Sequence, residues 1–296
     1  MSAAIHSAGA SFRLGIIGDL HTHWDSVDVA QFANLDYDLL FFTGDLGGGT
    51  QDSSLRVARG ISGLRQPTLV MPGNNDTGDI DQLAAELAHQ SGVNQLMSIA
   101  RNEDQTTSGI TLCGYSLHPV RCADMDIDII AARPHSMGGP DLSFPEYMQQ
   151  TYGVLSMADS IARLRQLVDQ AQSGRLVFLG HNGPLGMGEQ PDDMWGCDFR
   201  NPPGGDWGDP DLAAAIEYAV QSGKQVLAVI AGHMHLRTKQ GSERPWLIER
   251  NGITHINASR VPRIFSGKDD VYRHHVALTI GANSIEAEEI LLPEYG

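Results

Sequence analysis

The chain has 296 residues, with 20 Lys and Arg against 36 Asp and Glu, a formal net charge of −16. That length buries a sizeable core as one large α/β domain, while the acidic surface repels polyphosphate backbones and disfavours nucleic acid as a partner. Three cysteines (Cys113, Cys122, Cys197) without CxxC spacing exclude a disulfide scaffold and a cysteine–zinc knuckle.

In chain order, residues 1–11 are small and polar, without the basic head and apolar run of a signal peptide, and are expected to be disordered. No later run approaches the roughly 20 apolar residues of a membrane span. A soluble, cytoplasmic protein without a membrane partner is the expectation. Leu14–Ile17 reads as a short buried strand that ends in Gly18-Asp19-Leu20-His21. Asp25 or Ser26 caps a helix that leads to Tyr37, and Leu39–Thr43 is a second buried strand, ending in Gly44-Asp45. Asp52 or Ser53 caps the next helix, with Val57, Ile61 and Leu64 on one face. Thr68–Met71 is a third strand, broken by Pro72-Gly73 ahead of Asn74-Asn75-Asp76. A helix over Asp81–His89 and a short strand over Ile110–Tyr115 follow.

Residues 115–153 form the least regular region and are expected to be a loop insertion over a site, with Arg133-Pro134, His135 and Met137-Gly138-Gly139-Pro140 inside it. A helix starts near Asp159, with Ile161, Leu164, Leu167 and Val168 on its stripe. Arg175–Leu179 is a strand ending in Gly180-His181-Asn182. Residues 183–208, rich in Gly, Pro, Asp and Trp, are a second expected insertion. Asp209-Pro210 opens a helix with Asp at the N-cap and Pro at the first position, and Gly223 stops it. Val226–Ala231 then leads to Gly232-His233-Met234-His235. Strands without helices close the chain, over Ile253–Ile256, Val276–Ile280 and Ile285–Leu292. With no repeat, heptad array or linker, one domain over 1–296 is the simplest organisation.

Five strand ends therefore deliver the same chemistry: a glycine followed by Asp, Asn or His. Any one of them alone is more often a turn or a satisfied core residue than a ligand; five in order are not. The set Asp19, His21, Asp45, Asn74, His181, His233 and His235 is an oxygen and nitrogen donor set suited to Mn, Fe or Zn. Seven donors exceed what one catalytic ion with an open position takes, but two divalent ions sharing a carboxylate use them all. Such a pair lowers the pKa of a bridging water and stabilises the attacking and leaving oxygens of an in-line phosphoryl displacement. Carboxyl ends of strands are where open α/β sheets place ligands.

The order GDxH, GD, GNxD, GH, GHxH, spanning Gly18 to His235, resembles the calcineurin-like metallophosphoesterase superfamily. Segments 133–139, 181–184 and 208–211 also resemble a cyanobacterial and plant branch of it. The resemblance implies a four-layer α/β/β/α sandwich, two mixed sheets flanked by helices, with a dinuclear centre between the sheet edges. It implies that Asp19, His21 and His235 hold one ion, that Asn74, His181 and His233 hold the other, and that Asp45 bridges. The implied activity is hydrolysis of a phosphomonoester or phosphodiester, of a small molecule given the acidic surface, by metal-activated hydroxide. One position departs from the family pattern: Asn75 stands where a histidine usually contacts the phosphate and protonates the leaving group. An amide donates a hydrogen bond but cannot act as a general acid. His23 or His135 are the candidate substitutes, and Arg133 is either a solvated loop charge or a phosphate clamp. Trp195 and Trp207 are read as packing under a long loop, with stacking on a substrate ring as the other option.

Two rival readings differ in class. Asp19-Leu20-His21-Thr22-His23 resembles the DxHxH start of amidohydrolases, but Lys224 is the first lysine of the chain, so no mid-chain lysine exists to bridge metals. A catalytically weak scaffold of the same fold, mediating protein interactions, is kept open by the loss of the histidine at Asn75.

Overall fold

The computed structural model describes residues 4–7, 9–48, 50–61, 63–76 and 110–294. The expected helix over Asp81–His89 lies outside them. Two seven-stranded sheets dominate the rest. The first contains β2 (Phe12–Ile17), β3 (Leu39–Phe42), β4 (Thr68–Val70) and β5 (Ile110–Leu112), all parallel. Antiparallel to β2 runs β13 (Val271–Ile280), which also pairs with β12 (Ile264–Ser266) and β14 (Ile285–Pro293). In the second sheet the order is β1-β6-β7-β8-β9-β11-β10, that is Ile5–His6, Ser116–Arg121, Asp126–Ala131, Arg175–Leu179, Gln225–Ala231, Ile253–Asn257 and Leu247–Arg250.

Both faces of the central strands are apolar, because each sheet is covered twice. On β3, Leu39 and Phe41 enter the core between the sheets, whereas Leu40 and Phe42 meet helices α1 (Ser26–Phe32) and α2 (Gln51–Ile61). On β8, Val177 and Leu179 face the other sheet, and Leu176 and Phe178 face α3 (Pro145–Tyr152), α4 (Met157–Gln170) and α5 (Pro210–Gln221). A register shift between Leu176 and Val177 adds one residue to β9, so Leu227 and Ala228 both enter the inter-sheet core. Helix, sheet, sheet, helix is the expected four-layer sandwich. Among the described residues no helix is long and apolar enough to cross a membrane.

Caps show how local chemistry sets the elements. Asp25 accepts the amides of Val27 and Asp28, and Asp28 returns the bond to the Asp25 amide, a capping box for α1. The buried Asp28 also lies 2.7 Å from both Arg263 and Arg273, which fastens α1 to the β12–β13 end of its sheet. Asp209 occupies the N-cap of α5 as its sequence position implies, yet its side chain makes no capping bond. It turns inward instead, toward Arg133, Ser136 and Asn182.

Two expectations are corrected. Within residues 1–11, expected to be disordered, Ile5–His6 pair with Val120 and Arg121 at a sheet edge. Residues 115–153 are not one loop: β6 and β7 form an antiparallel hairpin inside the second sheet, and α3 covers it. Its strand character was masked by Pro119 in β6, placed where β1 no longer pairs, and by Asp126 and Asp128 in β7. Asp128 is buried because its carboxylate accepts the Ser173 amide at 2.8 Å and lies 3.2 Å from Arg121. Residues 183–208 contain no named strand or helix.

Candidate metal centre

The carboxyl ends of β2, β3, β4, β8 and β9 converge where the two sheets meet, and each brings its glycine-led motif. At two of these glycines a carboxylate takes the space a side chain would need. A Cβ on Gly73 would land on the Asp45 carboxylate, and a Cβ on Gly232 would land on the Asp19 carboxylate and the Thr43 hydroxyl. Asp45 and His233 themselves adopt left-handed backbone, at φ 50° and 66°, a conformation that side chains rarely accept outside such sites.

Asp19, His21 and His235 form one cluster, and Asp45, His181 and His233 a second, the donor atoms of each lying within 4.8 Å of one another. Asn74 joins the second, its Oδ1 2.9 Å from His181 Nε2. Asp45 spans both: Oδ1 is 3.5 Å from His181 Nε2 and Oδ2 is 3.6 Å from His21 Nε2. In the first cluster His21 Nε2 and His235 Nε2 approach to 3.1 Å, with Asp19 Oδ2 3.7 Å from the latter.

The surroundings fix these donors. A carbonyl only accepts, so His181 Nδ1, 2.7 Å from Thr43 O, carries a proton and leaves Nε2 facing the cluster. The Thr43 hydroxyl donates to Asp19 Oδ1 at 2.8 Å, and the His233 amide donates to Asp19 Oδ2 at 2.9 Å. Asp76, the last residue of its motif, is a brace: it accepts the amides of Leu46 and Gly73 at 2.7 and 2.8 Å and so ties the β3 and β4 loops together. The sequence marks Thr43 only as the end of a strand and Asp76 only as the last residue of the GNxD motif, without a role for either.

Electrostatics favour a cation. Burial works against ionisation of Asp19, but His181, His235 and His21 outweigh it and hold the carboxyl at about 2. Burial likewise keeps His233 uncharged, at about 4, and lowers His235, leaving the neutral imidazoles that ligate metals. Burial also disfavours charge on His181, yet Asp45 and Asp19 raise it. A place that draws a proton onto a fully buried imidazole is one that favours positive charge. Together with converging Nε2 and carboxylate donors, this fits divalent ions bound by nitrogen and oxygen.

The remaining candidates separate. Asn75 lies in the site: its backbone amide donates to Asp45 Oδ1 at 2.8 Å and its side-chain amide to Asp45 Oδ2 at 2.6 Å. It lines a cleft of about 220 Å³ together with His21, Asp45, His233 and His235. His23 does not line that cleft, and its Nδ1 is 3.1 Å from Leu20 O. His135 is fully buried, bonded at 3.1 Å to Gly73 O and packed edge-on against Phe144 and Tyr147. Arg133 is neither a solvated charge nor a phosphate clamp. Its fork is occupied 2.9 Å from Asp209 and 3.0 Å from Asp211, with all three side chains buried. Ser136 and Asn182 donate to the same Asp209 carboxylate, and Ser160 to Asp211. This network is what turns Asp209 away from its helix end. Burial and the adjacent Asp211 outweigh Arg133 there and push Asp209 up to about 6. Trp195 is fully buried beside Met194, Ala231 and Met234, as packing requires.

The opposite wall of the cleft comes from Asp198 and Phe199 in the 183–208 loop and from Arg237 and Lys239 just beyond the last ligand. Sequence reasoning passed over all four, because no periodicity marks which way a loop residue faces.

The family model for calcineurin-like phosphoesterases matches residues 12–237. Among solved structures, one crystal structure aligns over 94% of this chain and 99% of its own, at 14% identity and a TM-score of 0.54. A dimetal phosphatase from Danio rerio aligns over 96% of this chain and 99% of its own, at 12% identity and 0.49. A structure of PhoD covers 99% of this chain and 72% of its own, at 10% identity and 0.49. A search of curated proteins finds no match.

Proposed function

The chain belongs to the calcineurin-like phosphoesterases, and on that premise we propose that it hydrolyses a phosphomonoester or phosphodiester of a small molecule with the help of two divalent ions. The observation that carries the reading is the pair of three-residue clusters, Asp19/His21/His235 and Asp45/His181/His233, joined through the two oxygens of Asp45. In this reading Asp19, His21 and His235 hold one ion, Asn74, His181 and His233 the other, and Asp45 serves both. Mn, Fe and Zn suit the donors, and such a pair, when bound, supplies an activated water and charge neutralisation at the phosphoryl oxygens.

The protein's own groups do the rest. Thr43 sets the His181 tautomer and holds Asp19, so both present donors to their clusters without rearrangement. Asn75 fixes the Asp45 carboxylate through two bonds, and its remaining side-chain N–H is free to donate to a phosphoryl oxygen. It has no proton to give a leaving group, and neither His23 nor His135 lines the cleft to replace it. Departure therefore depends on a leaving group that is stable as an anion, which favours aryl esters and diesters over alkyl monoesters.

The test is chelation followed by reconstitution. Protein dialysed against EDTA is assayed on bis-p-nitrophenyl phosphate before and after addition of Mn²⁺. Turnover that vanishes and returns supports the reading; absence of metal-restored turnover on this and on p-nitrophenyl phosphate favours the scaffold instead.

A further inference from the structure

The wall facing the candidate metal clusters has a composition of its own. Phe199 leaves 43% of its surface in solvent at the cleft, although it is a large apolar side chain. It is nevertheless held. Its ring stands edge-on to Trp207 at 5.2 Å and 87°. Trp207 in turn donates from Nε1 to Met137 O at 2.7 Å and carries the Arg200 guanidinium 4.0 Å from its ring centre. The residue before Phe199 is anchored as firmly. Asp198 accepts the Lys239 amide at 2.7 Å, lies 3.2 Å from Arg244 and receives the Gln240 amide on its carbonyl at 2.8 Å.

Two cations complete the wall. In a chain of net charge −16, the exposed side chains of Arg237 and Lys239 line this cleft, and among the described residues neither has a carboxylate partner. The Lys239 ammonium sits 5.8 Å from the Phe199 ring centre. Two cations on the wall of one cleft, beside an exposed ring held by Trp207, make a pre-organised surface for something planar and anionic.

We propose that Phe199, Arg237 and Lys239 form the subsite for the non-reacting part of the substrate, selecting a phosphoester that carries an aromatic or heteroaromatic ring and a second negative charge. The ring lies on Phe199, and the additional anionic group meets Arg237 and Lys239. This inference rests on the reading of the neighbouring clusters as a phosphoesterase centre and names the substrate class for it.

The test measures binding with phosphonates, whose P–C bonds resist hydrolysis, at low temperature and with the titrated ligand checked intact afterwards. Mn²⁺-loaded protein is titrated calorimetrically with methylphosphonate, phenylphosphonate and α,β-methylene-ADP. The wild type binds phenylphosphonate about tenfold more tightly than methylphosphonate, the size of a single stacking contact, and α,β-methylene-ADP more tightly again. Phe199→Ala brings the phenyl-to-methyl ratio to near one. The double substitution Arg237→Ala with Lys239→Ala removes the additional affinity for α,β-methylene-ADP and leaves the phenyl-to-methyl ratio in place. Equal wild-type affinity for the phenyl and methyl compounds, or a Phe199→Ala variant that keeps the ratio, overturns the subsite. Should phenylphosphonate alone be favoured, with no gain from the nucleotide, the second-charge element is overturned. Turnover of bis-p-nitrophenyl phosphate is measured on the same sample. Turnover without ring discrimination refutes this proposal alone, and discrimination without turnover refutes the phosphoesterase reading alone.

Discussion

Asn75 is the residue at which this sequence departs from the pattern its motifs otherwise follow. Its amide holds Asp45 at 2.6 Å, so it is a positioning group for the carboxylate that spans the two clusters. Replacement by histidine offers the cleft a group that titrates near neutrality. Asn75→His should add a descending limb above about pH 7 to the pH dependence of kcat/KM for a phenyl monoester, as the imidazole loses its proton. It should also narrow the gap between phenyl and p-nitrophenyl substrates, because a protonated leaving group depends less on its own acidity. A pH profile and a leaving-group dependence identical to the wild type would remove proton donation from the account of this position.

At the scale of elements, the buried set Arg133, Asp209 and Asp211 links the loop after β7 to the start of α5, and Ser160 and Asn182 bring in α4 and the loop that carries His181. Removing the guanidinium strands two carboxylates in the interior. Arg133→Ala should destabilise the protein by about 3–5 kcal/mol in urea unfolding, with KM for bis-p-nitrophenyl phosphate little changed in the folded fraction. A tenfold rise in KM at unaltered stability would return Arg133 to the substrate. The same elements show what a sequence discloses. The ligand-bearing strand ends were readable because buried parallel strands are apolar on both faces, and because the tight packing at Gly73 and Gly232 leaves room only for glycine ahead of Asn74 and His233. The β6–β7 hairpin was not, since Asp128 looks solvent-facing until Ser173 and Arg121 are brought to it by the fold. Arg133 misled for the same reason: a lone loop arginine gives no hint of partners nearly eighty residues away.

Across the whole molecule, several histidines outside the cleft are buried without charge. Burial holds His118 and His255 at about 4 and His275 at about 3, against an ordinary value of 6.5. At these three positions the unfolded chain therefore binds more protons than the folded one below pH 6.5. The stability these groups contribute is complete above that pH and is lost as pH falls from 6.5 toward 4, by at most about 1.4 kcal/mol per pH unit for each. Urea midpoints of metal-free protein at pH 7.5, 6.5, 5.5 and 4.5 should fall progressively over the last three. His118→Gln should make that fall shallower, and midpoints independent of pH over this range would contradict the burial of these rings in neutral form.

The central claim is that side chains from five strand ends grip two cations side by side. Counting the ions tests it most directly. Elemental analysis of protein stripped with EDTA, reloaded with Mn²⁺ and passed over a desalting column should give two ions per chain for the wild type. His235→Ala should lower the count toward one, and Asp45→Asn should weaken both sites. A wild-type chain that retains one ion or none after reloading would contradict the account.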